Sequence, residues 1–246
     1  MRALVLLAGL LMASPALADG QPVKVTWLGH ATFVVKAASG TTVVIDPFIT
    51  GNPKTPAEHK DLKKLQPDAI LLTHSHQDHT ADAVPLAKAS KAKVIGAHDH
   101  IVSLDIPDEQ KAGGNVGGVI AVKDLKVHLV PAMHGSSPGG RPLGVIIEFA
   151  DGRKLYHTGD TWIFGDMALI QEFYAPDIIL MQAGGGPYNQ QPDVARKALD
   201  RFFRPSAVVP MHYGTWPVLA DEAAVKKAFG DHPKAKIMTP GQTLSL

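Results

Sequence analysis

Apolar positions alternate along this chain between short runs of period two and longer stretches of helical period, with little unpatterned sequence between them. Residues 23–27 and 32–35 alternate, with Leu28-Gly29-His30 between them, which predicts two half-buried strands joined by a tight turn. Residues 41–45 form a β-branched run that stops at Asp46-Pro47, a strand followed by a breaker. Residues 48–61 carry Gly, Asn and Pro and read as a long irregular loop. A buried strand is predicted over 69–72, an Ala-rich helix over 81–91 and a further strand over 93–96. In the second half, strands are predicted over 126–130, 143–149 and 154–157, the last two joined by an Asp151-Gly152 hairpin turn. A helix near 164–173 then precedes a strand over 177–181. A helix over 192–203, a strand over 207–211, a helix over 222–229 and a closing strand over 235–238 complete the chain. Both halves share a hairpin-then-βα pattern. Buried strands interleaved with helices predict an α/β fold in which sheet layers are covered by helices.

The N-terminal stretch stands apart. Arg2 precedes an uninterrupted apolar run over 3–12, and Ser14-Pro15-Ala16-Leu17-Ala18 offers a small-x-small cleavage site. This is the three-part pattern of a bacterial secretory signal. The expectation is a signal peptide over 1–18, a mature domain over 19–246 and a periplasmic or secreted location. The run is shorter than the ~20 residues of a spanning helix, and no later segment is long and apolar enough to span, so no stable membrane span is expected after cleavage. The remaining length suits one domain with a sizeable core.

Composition narrows the chemistry. The chain has no cysteine, which excludes disulfides, thiolate ligands and a cysteine nucleophile. Lys and Arg number 24 against 23 Asp and Glu; loss of Arg2 would leave the two signs equal. With no basic run either, nothing points to nucleic acid as a partner. Histidine is the outlier at 12 residues, and its spacing is informative.

Thr73-His74-Ser75-His76-Gln77-Asp78-His79-Thr80 follows a buried strand and opens a helix, so it leaves a sheet at its carboxyl edge, where α/β folds place ligands. His74 and His76, two apart on extended backbone, point to one side, while Asp78 and His79 fall on the turn into the helix. Four metal-type ligands in six residues exceed what one tetrahedral ion accepts from one tight turn, so two adjacent ions explain the spacing better. The bland alternative is a polar surface turn that happens to be rich in histidine. It weakens because His134, Asp160 and His212 each lie at the end of another predicted strand.

With those segments in view, the chain resembles the metallo-β-lactamase superfamily, and within it the metal-dependent hydrolases related to ascorbate-phosphate lactonases and N-acyl-phosphatidylethanolamine phospholipases. The resemblance rests on Trp27-Leu-Gly-His-Ala-Thr-Phe33, Ile45-Asp-Pro-Phe48, the His74 to His79 motif, Pro131-Ala-Met-His134, His157-Thr-Gly-Asp160 and Pro210-Met-His-Tyr213, in family order. It implies a four-layer αββα sandwich in a single domain. By position it implies one ion on His74, His76 and His134, a second on Asp78, His79 and His212, and Asp160 bridging both. It further implies that a hydroxide shared by the two ions attacks a small ester, lactone or phosphodiester. Imidazole and carboxylate donors without thiolate suit Zn²⁺ and also permit Mn²⁺ or Fe.

Catalytic candidates beyond the ligands are Asp78, which could orient the hydroxide, and His30, which could bind substrate or protonate a leaving group. Asp46 could accept a ligand histidine's free N–H. His157 reads as structural, and Gly184-Gly-Gly186 as either a close approach to substrate or a simple turn. The Tyr188-Asn-Gln-Gln191 segment departs from the family's usual wording. Two readings compete with hydrolysis: a di-iron redox protein, and a metal-binding or ligand-binding protein without activity. The expected partner is a small-molecule substrate.

Overall fold

The computed structural model describes residues 22–246, so the signal assigned to 1–18 lies outside the described residues. The elements run β1 (Lys24–Gly29), β2 (Thr32–Lys36), β3 (Thr42–Ile45), β4 (Ala69–Leu71), α1 (Gln77–Thr80), α2 (Ala83–Ser90), β5 (Lys93–Ala97), α3 (His98–Ser103), β6 (Lys111–Gly114) and β7 (Val119–Val122). They continue with β8 (Leu125–Pro131), β9 (Leu143–Glu148), β10 (Lys154–His157), α4 (Met167–Tyr174), β11 (Ile178–Gln182), α5 (Pro192–Phe202), β12 (Ala207–Met211), α6 (Glu222–Phe229) and β13 (Thr243–Ser245).

Two sheets result, ordered β13-β1-β2-β3-β4-β5-β6 and β12-β11-β10-β9-β8-β7. In the first, β13 to β3 pair antiparallel and β3 to β6 pair parallel. In the second, β7 to β10 pair antiparallel and β10 to β12 pair parallel. The repeated hairpin-then-βα pattern thus gives one sheet per half, except that the C-terminal β13 joins the first sheet. Side-chain alternation separates the layers. Val43, Ile45, Ala69, Leu71 and Ile95 join Val127, Leu129 and Val145 in the core between the sheets. Val44, Ile70, Leu72 and Val94 pack instead with Leu86, Ala87 and Ile101 of α2 and α3. On the far side, Ala195, Leu199 and Phe229 of α5 and α6 are buried, and the Phe203 ring sits 5.8 Å from that of Tyr156. Helix, sheet, sheet and helix stack as the expected sandwich. Among the described residues no helix is long and apolar enough to cross a membrane.

Three local expectations are corrected. The helix predicted over 81–91 is shorter, Ala83–Ser90, and is preceded by the separate helical turn α1; between them Asp82 turns its carboxylate to the Ile49 and Thr50 amides at 2.6 and 2.9 Å and anchors the 48–61 loop. The closing strand predicted over 235–238 makes a single bridge, Ala235 to Val208, and β13 instead closes the first sheet against β1. The strands β6 and β7 and the helix α3 were not predicted, since Gly113 and Gly114 weaken the strand pattern and both strands are short.

Candidate metal centre

Four candidate ligands, and Asp46 beside them, sit just beyond the carboxyl end of a strand, while His76 precedes α1 and Asp78 and His79 lie on it. Asp46 follows β3, His74 follows β4, His134 follows β8, Asp160 follows β10 and His212 follows β12. Sheet packing brings these ends to one edge of the sandwich. The β1–β2 turn joins them there: the His212 amide donates to the His30 carbonyl at 2.9 Å, and Trp27 Nε1 donates to the same oxygen at 2.9 Å. Both histidines adopt left-handed backbone, with φ of 55° at His30 and 71° at His212, a conformation uncommon outside glycine that persists where surroundings over-determine it.

All seven candidate ligands converge. Potential donor atoms fall into three groups, each with every atom within 4.8 Å of the others: His74, His76 and His134; His74, His79 and Asp160; and His30, Asp78, His79 and His212. Asp160 touches both ends of the cluster. Its Oδ2 lies 3.1 Å from His212 Nε2 and 3.6 Å from His134 Nε2, and its Oδ1 lies 3.5 Å from His79 Nε2.

The cluster fits cations. His74 Nε2 faces His76 Nδ1 at 3.0 Å, and His79 Nε2 faces His212 Nε2 at 3.3 Å. Ring nitrogens so opposed present lone pairs to one another unless a proton or a metal lies nearby. Among the described residues Asp160 Oδ1 has no hydrogen-bond partner although it is buried, which a buried carboxylate rarely tolerates without an ion.

A surrounding layer of hydrogen bonds sets the ring tautomers. Asp46 is fully buried and its Oδ2 lies 2.8 Å from His79 Nδ1, so the Nδ1–H is donated outward and the Nε2 lone pair is turned inward. Thr73 donates its amide and its hydroxyl to Asp46 at 2.8 and 2.7 Å, and that hydroxyl lies 3.1 Å from His74 Nδ1. One carboxylate therefore orients two imidazoles, one of them through Thr73. Asn189 does the same for His212: it accepts from His212 Nδ1 at 3.3 Å and donates to Asp160 Oδ2 at 3.1 Å. Gly184 is required beside it, because a Cβ there would lie 2.7 Å from His212 Nδ1.

Charge follows the same layout. Burial alone would lower the His79 ring, but Asp160 and Asp46 outweigh it and hold the pKa well above the ordinary imidazole value. His74 is driven well down, by burial first and by His79 next. Burial and His212 lower His30 to about 3 against the opposing pull of Asp78. His30 is thus neutral, and one arrangement satisfies its neighbours: Nε2–H donates to Asp78 Oδ2 at 3.0 Å and Nδ1 accepts from the Thr215 hydroxyl at 2.9 Å. The ring is fully buried and does not line the pocket, so any influence it has on a substrate passes through Asp78. His157 is also fully buried; it bonds the Ala31 carbonyl at 2.9 Å and the Gly159 amide at 3.1 Å and lies outside the cluster.

A pocket of about 290 Å³ opens over the cluster; His76, Asp78, His134, Asp160 and His212 form its floor, and Trp216, Val218, Leu219, Tyr188 and Asn189 form its walls. Thr73, Thr215, Asn189 and Trp216 were not singled out from sequence. Thr73 adjoins the motif and Asn189 lies in the segment with unusual wording, which are weak signals. Thr215 and Trp216 carry no spacing signal.

Fold and donor set together define a metal-binding αββα sandwich. The family model described as "Beta-lactamase superfamily domain" matches residues 24–212. A UPF0173 metal-dependent hydrolase of Thermococcus kodakarensis is 38% identical, covering 91% of this chain and 100% of its own. One from Myxococcus xanthus is 38% identical over 95% of this chain and 87% of its own. Among solved structures, Igni18, a metallo hydrolase from Ignicoccus hospitalis, aligns with a TM-score of 0.79 at 35% identity, covering 91% of this chain and 98% of that one. The chain belongs to the metallo-β-lactamase superfamily, and within it to the UPF0173 metal-dependent hydrolases.

Proposed function

We propose that the protein holds two divalent ions, zinc by preference, and hydrolyses a small ester, lactone or phosphodiester outside the cytoplasm. The ligand assignment is His74, His76 and His134 for one ion, Asp78, His79 and His212 for the other, and Asp160 shared. The observation that supports two ions is the reach of Asp160, whose two oxygens approach histidines of both groups while Oδ1 has no hydrogen-bond partner among the described residues. Nitrogen and oxygen donors favour zinc, and also permit manganese or iron. Bound there, the ions would supply Lewis acidity and an acidified water, its pKa brought from 15.7 towards ~7.

The chain's own groups have distinct tasks. Asp46, Thr73 and Asn189 hold the imidazole lone pairs inward. His30 is a positioning residue that fixes the Asp78 carboxylate through Nε2–H. Asp78 lines the pocket floor, where one oxygen can orient the attacking water. Elemental analysis of purified protein reconstituted with zinc, manganese or iron, with turnover of ester, lactone and phosphodiester panels before and after chelation, tests this reading. We expect two equivalents of zinc and chelator-sensitive hydrolysis. His76→Ala and Asp160→Ala are expected to lose metal and activity together while staying folded; full metal content and turnover in either variant would overturn the assignment.

A further inference from the structure

The pocket walls differ in character from its floor. Its ionisable lining residues are the proposed ligands and Tyr188, and no Lys or Arg is among the described residues that line it. Trp216, Val218 and Leu219 form one continuous apolar side, and Trp216, Tyr188 and Val218 remain 37%, 67% and 48% exposed beside the mouth. Exposed aromatic and branched side chains converging on a cleft mark a surface kept for a ligand.

This wall is held in place. The Trp216 ring packs edge-on to His30 with centroids 5.1 Å apart and lies 5.8 Å from Phe48. The Leu219 amide donates to the Trp216 carbonyl at 3.0 Å, and the Ala220 amide to the Gly184 carbonyl at 2.7 Å. The loop thereby ties to the backbone beside His212. The Lys54 side chain opens instead on a neighbouring hollow across Trp216, which Asp221 also lines. A phosphoryl or carboxylate group on the part of the substrate away from the floor would meet no cation on these walls, although such groups are ordinarily held by Arg or Lys.

We infer that, within the hydrolytic reading above, the substrate is a neutral carboxylic ester or lactone whose acyl portion is apolar and lies against Trp216, Val218 and Leu219. Water adds across the acyl carbon–oxygen bond, which breaks to give one carboxylic acid and one alcohol, both in a single product when the substrate is a lactone. The pocket volume of about 290 Å³ limits the substrate to a small molecule.

The test uses zinc-reconstituted full-length protein and p-nitrophenyl acetate, propionate, butyrate and hexanoate, which share one leaving group. kcat/KM should rise about fourfold for each methylene buried, the transfer free energy of one CH₂, until the pocket is filled. p-Nitrophenyl hemisuccinate, similar in length to butyrate but anionic, should be poorer by roughly tenfold or more, because its charge would be buried unpaired. Trp216→Ala should flatten the rise to less than twofold per methylene, and the exposed Val218→Ser provides a second variant if the first folds poorly. A flat or falling series, or hemisuccinate equal to butyrate, would overturn the inference. Turnover of bis(p-nitrophenyl) phosphate with no ester hydrolysis would also overturn it and leave the hydrolase reading intact. Absence of all turnover at two equivalents of metal would sink the hydrolase reading. The wall would then be judged by hexanamide, whose quenching of tryptophan fluorescence must disappear in Trp216→Phe for the subsite to stand.

Discussion

Replacing Asp46 by Asn changes one atom and removes one charge, at a position that touches neither the pocket nor any proposed ion. In the wild type, Asp46 Oδ1 accepts the Thr73 amide while Oδ2 takes the Thr73 hydroxyl and His79 Nδ1–H. An asparagine can keep its oxygen on the Thr73 amide only by turning its NH₂ towards two groups that are themselves donors. His79 then gains by moving its proton to Nε2, which removes the lone pair aimed into the cluster. The backbone is no obstacle, because Asp46 has φ of 47° and asparagine accepts that region readily. A hydrogen bond to a charged group contributes about 1.5–3 kcal/mol. That agrees with the ~10–100-fold loss of metal affinity, about 1.4–2.7 kcal/mol, usual for an outer partner of a ligand histidine. Competition titrations against a chromophoric chelator should show this loss at one ion, with far-UV circular dichroism unchanged. Thr73→Val, which cuts only the link towards His74, should cost less. Zinc binding by Asp46→Asn within twofold of wild type would refute the argument that this carboxylate sets the His79 tautomer.

Other outcomes follow from the same geometry. Gly184→Ala places a methyl 2.7 Å from both Nδ1 and the carbonyl oxygen of His212, an overpacking worth about 1–3 kcal/mol; calorimetry should register a fall of roughly 2–12 °C in Tm, and an unchanged Tm would show that the loop yields freely. Asp160 and Asp46 together outweigh the effect of burial and hold the His79 pKa well above the ordinary imidazole value. Zinc binding should therefore release about one proton, and affinity should rise with pH; isothermal titration in buffers of different ionisation enthalpy measures this, and enthalpies independent of buffer would contradict it. Expressed with its own N-terminus in a Gram-negative host, the chain should appear in the periplasmic fraction beginning at Asp19, and a cytoplasmic product retaining Met1 would remove the export expectation.

Residue order alone determined a good deal here. A strand that ends in a polar residue announces itself locally, because apolar alternation stops where the chain leaves the sheet. Hence β3, β4, β10 and β12, and the His and Asp residues just beyond them, were legible, and so was Asp46 as a partner for a ligand histidine. The β9–β10 hairpin also read correctly, because Asp151-Gly152 marked its turn. Tertiary structure decided whatever depends on two distant segments meeting. The pairing of β13 with β1 spans almost the whole chain, and the short, partly polar strand has little local preference that could announce it. His30 could be suspected near the cleft, but only sheet-on-sheet packing made it a buried brace for Asp78 instead of a group facing the pocket. Asn189, Thr215 and Trp216 acquire their contacts because the loops after β11 and β12 fold over one edge of the sandwich. Periodicity records which face of an element is buried; it does not record what that face is buried against, and both the tautomers of this cluster and the apolar wall above it are set by such non-local contacts.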